Sequence, residues 1–252
     1  MSSRASVKRK RRGEETQVSR ATVLCAYCGE REGDEGEHVF PRSWYPESTP
    51  QTVQYLKVPG CRPCNQRWKK IEEEFRTEFL MVVSPLGVEA EGLHDKFTRS
   101  INPDFATEDK EKRHRAAKAM KILKTMAWVP AVAGAPQVTI RTPSGLFVRA
   151  SPVRRIEKRV LNRMAEKLMR GLHYAKTHEV LGPLTVHSRL VRPEDGHDPT
   201  MAPVLEYLGQ LPPDEALAPG LQYRRHDQTG LVVWDFLIWG GVRIISFVTR
   251  PG

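Results

Sequence analysis

Cysteine is scarce in this chain of 252 residues: there are four, all between positions 25 and 64, so no disulfide framework can run through the rest. No run of about 18 apolar residues occurs, and the sequence predicts no membrane-spanning helix. The early charges Lys8-Arg9-Lys10-Arg11-Arg12 are followed by no apolar segment, so no secretory signal is expected and an intracellular setting is. Acidic residues are short, 30 against 40 Lys and Arg, which leaves a formal charge of +10. Such an excess asks for a polyanionic partner, of which nucleic acid is the commonest; a basic solvated surface is the plain alternative. Apolar residues make up 39%, enough for a modest core in one large domain or two small ones. No internal repeat is present, and residues 1–20 read as a basic disordered tail, whether nucleic-acid arm, nuclear signal or solubiliser.

The few cysteines are arranged in two pairs, Cys25-Ala26-Tyr27-Cys28 and Cys61-Arg62-Pro63-Cys64. Each short knuckle offers two sulfurs to one ion, which suits a tetrahedral, closed structural zinc site. Two disulfides or free thiols fit less well, because a bridge across two intervening residues ties off only a tiny loop; an iron centre is the other metal alternative. Between the pairs stands Glu37-His38. A neutral imidazole is a competent base near pH 7, and a carboxylate is a hard ligand for magnesium or manganese. On a strand the two would point to opposite faces.

Local patterning gives the expected elements. Thr22-Val23-Leu24 reads as a short strand, Gly29–Gly36 as a loop, Val39-Phe40 as extended and 43–55 as irregular. Leu56-Lys57-Val58 is extended, and Asn65 opens a helix with Trp68, Ile71, Phe75 and Phe79 as its buried stripe, stopped by Pro85. A second helix is expected over 108–128 on Ala116, Met120, Leu123 and Ala127. A hairpin is expected around Pro143-Ser144-Gly145. Ser151-Pro152 reads as the cap and first position of a helix running through Ile156, Val160, Met164, Leu168 and Leu172 to about Lys176. Its outer face would carry Arg154, Arg155, Lys158, Arg159 and Arg163, as a binding face or an ordinary solvated one. Seven prolines over 182–220 suggest a long loop. Gly240-Gly241 predicts a two-residue hairpin with Phe236 facing Ile245 and Trp234 facing Phe247, apolar on one side.

Taken together, the first cysteine pair, Glu37-His38-Val39-Phe40-Pro41-Arg42, and Val58-Pro59-Gly60-Cys61-Arg62-Pro63-Cys64-Asn65 resemble the HNH endonucleases of the ββα-metal class. The resemblance covers roughly residues 22–80. It implies a two-strand, one-helix site that cuts phosphodiester bonds with a divalent ion. By the resemblance, His38 is the general base, Glu37 the metal-binding acid beside it, and Asn65 the second metal ligand, on the helix. The tract Glu72-Glu73-Glu74-Phe75-Arg76 also resembles one in a zinc-bearing branch. The family's middle asparagine, whose job is to fix the loop that orients the histidine, is absent from Gln54-Tyr55-Leu56-Lys57-Val58; Gln54 or a backbone carbonyl would replace it.

Helical spacing places Asn65, Trp68, Lys69 and Glu72 on one face. Lys69 and Arg42 are candidate phosphate contacts, or simply surface cations. Glu72, about 10 Å along the helix from Asn65 by its rise, would orient Lys69 or Arg76. The expected architecture is α+β: a tail over 1–20, a zinc-stapled ββα-metal core over 21–84, and a helical and β-hairpin accessory region over 85–252. The expected function is hydrolysis of phosphodiester bonds in double-stranded DNA, with structural zinc and catalytic magnesium or manganese. The alternatives are a zinc-stabilised nucleic-acid-binding module without cleavage and a zinc-dependent interaction scaffold.

Overall fold

A computed structural model describes residues 23–80, 88–131, 137–154, 156–212, 214–228 and 231–249. The basic run at 8–12, Thr22, Pro85 and Arg155 lie outside these residues. The described chain is mixed α+β.

Strands β1 (Glu35–His38) and β2 (Lys57–Gly60) form an antiparallel ribbon in which Glu37 stands opposite Val58 and His38 opposite Lys57. Helix α1 (Arg62–Phe79) follows directly, with Cys61 as its N-cap residue. It begins three residues before the expected start at Asn65, because Pro63 fits the first turn, where its missing N–H has no intrahelical partner to lose. Cys64 and Asn65 therefore ride on the first turn. Trp68, Ile71, Phe75 and Phe79 form the buried stripe as the periodicity predicts. Upstream, Leu24 makes only an isolated bridge to Glu32 rather than a strand, and Val39-Phe40 lies beyond the end of β1.

Helix α2 (Leu93–Ile101) leads to α3 (Asp109–Lys124), which is shorter than the expected 108–128. The chain turns at Thr125 into β3 (Met126–Pro130), so Ala127 lies on a strand; Met120 and Leu123 are exposed and Ile122 is buried instead. The run Ala127-Trp128-Val129 finds a pairing partner, which outweighs its helical spacing. That partner is β5 (Phe147–Arg154), which also pairs with β4 (Val138–Arg141) across the predicted Pro143-Ser144-Gly145 turn.

Ser151-Pro152 is thus part of a strand and not a helix start. Among the described residues β4 pairs only as far as Ala150, and Pro152 pairs on the β3 side with Trp128, the edge condition under which strands accept proline. Helix α4 (Lys158–Thr177) starts later, after Glu157, and Arg154 belongs to β5.

The stretch 182–220 is not a long loop. It holds β6 (Thr185–Val191), α5 (Ala202–Gln210) and β7 (Asp214–Ala218). With β8 (Leu221–Gln228), β9 (Leu231–Ile238) and β10 (Val242–Thr249) the strands form an antiparallel sheet ordered β6-β10-β9-β8-β7. The β9–β10 turn has three residues, Trp239-Gly240-Gly241, with Trp239 and Gly240 at positive φ. The register is one residue off the expected one: Phe236 opposes Ile244 and Trp234 opposes Ser246. Both faces of the ribbon are apolar. Trp234, Phe236 and Ile244 join the main core, while Val233 and Ile245 pack with Met201 and Leu208 of the α5 side.

The main core runs from the knuckle cysteines through Trp44 and the α1 stripe to Met164 and Leu168 of α4 and Trp239 and Ile244 of the sheet. Trp44 stacks on Phe75 at 4.8 Å, meets Trp239 edge-on at 5.2 Å, and its carbonyl accepts from Trp239 Nε1 at 2.8 Å. Among the described residues no helix is long and apolar enough to cross a membrane.

Candidate metal centre and adjoining cleft

The two knuckles are brought together by backbone bonds. Gly29 N donates to Cys25 O at 2.9 Å, closing the first knuckle with Gly29 in the left-handed region, and Ala26 N donates to Pro59 O at 2.9 Å, docking it on the end of β2. The ligand sulfurs of Cys25, Cys28, Cys61 and Cys64 all lie within 4.8 Å of one another. Cys28 Sγ and Cys61 Sγ are 3.9 Å apart. Tetrahedral zinc with bonds of about 2.3 Å asks for sulfurs about 3.8 Å apart, so the donor set fits such an ion. Burial pushes the Cys25 and Cys64 thiols up. At Cys28 burial acts the same way, but the backbone N–H groups of Glu30 and Arg31 and the neighbouring sulfurs outweigh it and bring the thiol to about 7. The four cysteines could therefore hold a metal ion such as zinc, and among the described residues they are the one such cluster of His, Cys, Asp and Glu donors.

Beside this cluster a cleft of about 300 Å³ is lined by Glu37, His38, Arg42, Asn65, Lys69 and Glu72, among others. All five residues predicted for the cleft from sequence are thus brought to one place. β1 delivers Glu37 and His38, the first turn of α1 delivers Asn65, and Lys69 follows one turn on. Asn65 Nδ2 donates to Glu35 Oε2 at 2.7 Å, whereas its Oδ1 is buried with no hydrogen-bond partner. An orphaned amide oxygen normally carries a cost, and a cation would remove it. That oxygen and the Cβ of Glu37 both lie against Gly60: a Cβ built there would lie 2.9 Å from Glu37 Cβ and closer still to Asn65 Oδ1. One amide oxygen and one carboxylate suit magnesium or manganese, hard ions that keep most of their remaining shell as water and phosphate.

His38 is held below its ordinary pKa, first by burial and then by the positive charges of Lys57, Lys167 and Arg42. Its imidazole is therefore neutral near pH 7, the form that accepts a proton. Its ring meets Tyr55 edge-on at 6.1 Å, and Arg42 lies over the same Tyr55 ring at 5.5 Å. The stretch that lacks an asparagine contributes a backbone carbonyl: Val39 N donates to Leu56 O at 3.0 Å.

Sequence reasoning missed one residue packed against the cleft lining. Lys167 of α4 is fully buried, and its Nζ lies 2.9 Å from Glu37 Oε1, donates to His38 O at 2.6 Å and to Val39 O at 3.3 Å, and pairs with Glu72 Oε1. Glu72 thus makes its ion pair with Lys167, and its charge also acts on Arg76. Burial raises the Glu37 carboxyl and Lys167 opposes that, with Glu72 adding to the rise. The available signal was a lysine on the apolar face of α4, beside Met164 and Leu168: a charge in that place needs partners. Compared with protein-family models, curated proteins and solved structures, the chain gives no significant match to any of them.

Proposed function

We propose that the chain is a metal-dependent endonuclease of the HNH type that hydrolyses phosphodiester bonds in DNA. The observation that carries this reading is the orphaned Oδ1 of Asn65 in the cleft that Glu37 and the neutral His38 also line. Glu37 and Asn65 would hold the magnesium or manganese ion, which when bound neutralises charge on the scissile phosphate and the departing oxygen. His38 takes a proton from water as the water oxygen bonds to phosphorus. The phosphorus bond to the leaving oxygen breaks, and that oxygen takes a proton from solvent. Arg42 and Lys69 would hold flanking phosphates. The four cysteines would hold a structural zinc that takes no part in the chemistry.

A second reading, a zinc-stabilised nucleic-acid-binding module without cleavage, is favoured by one observation: Glu37 already holds the Lys167 ammonium. Plasmid nicking with magnesium, manganese or neither separates the two. The expected outcome is nicking that requires the divalent ion and falls about 10²-fold or more in His38→Ala, the scale of a lost general base, with zinc content unchanged. A His38→Ala protein that cuts as fast as its parent would leave only the binding module.

A further inference from the structure

The peptide that follows His38 is clamped from two sides. On one side Val39 N–H donates to the Leu56 carbonyl. On the other, the Lys167 ammonium donates to the carbonyls of both His38 and Val39. With its backbone fixed on both flanks, His38 can reorient only about its own side-chain torsions. The same ammonium draws Glu37 and Glu72 together, and both of these carboxylates line the cleft. Two carboxylates and one ammonium leave a single excess negative charge beside the metal-binding oxygens, where an unpaired pair would leave two and would repel a phosphate more strongly. An ammonium has three donors, and four acceptors surround this one, so nothing in its surroundings spares it.

We infer that Lys167 is a positioning residue of the cleft, contributed by the accessory region to set the presentation of His38 and the charge beside it. This rests on the nuclease reading given above. No local spacing connects Lys167 to the motif; only the packing of α4 does. Close approach is possible because Gly171, one turn on, faces Val39: a Cβ there would lie 2.8 Å from both Val39 methyl carbons.

The test is Lys167→Met in the full chain, which keeps most of the apolar stem and removes the charge. Two readouts are taken: plasmid nicking over a range of DNA concentrations, and the imidazole signals of His38 in protein with ¹⁵N-labelled histidine, assigned by their loss in His38→Ala. The expected result is a turnover at saturating DNA lower by about 10- to 100-fold, as small misplacements of reacting groups produce, with half-saturation and zinc content near the parent's and the His38 signals shifted. Parent-like turnover with unmoved His38 signals would overturn the inference. Should Lys167→Met fail to fold, Lys167→Met/Glu72→Gln removes the cation together with one of its carboxylates, and the same two outcomes apply. If the parent itself does not nick DNA, the nuclease reading fails, while the His38 signals still decide whether Lys167 positions the ring.

Discussion

A side chain at position 60 would enter space that Asn65 and Glu37 already share. The Cβ of Gly60→Ala would sit 2.9 Å from Glu37 Cβ and nearer still to Asn65 Oδ1, so one of them must move. The other end of the Asn65 amide is held by Glu35 at 2.7 Å, which resists a simple swing. Gly60→Ala should therefore displace the amide oxygen while leaving the cysteines in place. The expected effect is a manganese requirement for nicking raised by about 10- to 100-fold, the scale for disturbed support of a metal ligand, with zinc content unchanged. A parent-like manganese titration would remove Asn65 Oδ1 from the donor set. At this scale the sequence was legible wherever chemistry lay in short spacing. The knuckles, Glu37-His38 and Asn65 sit within one stretch, and the fold brings them together. Lys167 was hidden because its partners are about a hundred residues away and no local pattern links them. Glu72 was misassigned for the same reason: helical neighbours suggested Lys69 or Arg76, and the tertiary partner won.

Helix α4 brings Lys167 against Glu37 and Glu72 of the cleft lining, and Gly171 sets how near it comes. Glycine inside a helix ordinarily costs up to about 1 kcal/mol against alanine. Here the methyl of Gly171→Ala would press on Val39 at 2.8 Å. Overpacking a tight contact costs about 1–3 kcal/mol, which exceeds the propensity gain. Gly171→Ala should thus lower the denaturation midpoint, and Val39→Ala added to it should recover part of the loss by opening room for the methyl. A stabilised Gly171→Ala would show that α4 shifts freely and that the contact is slack. The elements themselves were only partly legible. The α1 stripe and the two hairpins followed from periodicity and turn residues. The end of α3, the start of α4 and the content of 182–220 did not, because strand pairing decided them. Trp128 and Ser151-Pro152 became extended by pairing across the β3–β5 ribbon, and proline-bearing segments found places at strand edges and in the first turn of α5. In the β9–β10 turn, Trp239 takes a positive φ that its identity does not suggest, and its place in a three-residue turn moves the register by one.

Across the whole molecule, the apolar core does not stop at position 84. Trp44 is fully buried between Phe75 and Trp239, and Val39 and Phe40 are buried in the same cluster as Met164 and Leu168. A segment of some 60 residues has a net stability of only about 3–5 kcal/mol from its own core. Exposing one large apolar side chain costs about 1.5–3 kcal/mol. Removing the sheet and α4 would uncover several, and would also leave Glu37 and Glu72 without their cation. Zinc would still join the knuckles, since all four cysteines lie upstream, but it acts locally on their loops and on the first turn of α1. A fragment of residues 1–84 supplied with zinc is therefore expected to bind the ion yet show dispersed amide signals only around 25–33 and 57–65. It should fail to nick DNA under conditions where the full chain does. A zinc-loaded fragment with a fully dispersed spectrum and parent-like nicking would show that the ββα stretch folds and acts alone. In that case α4, with Lys167, would be a neighbour of the cleft and not a part of it.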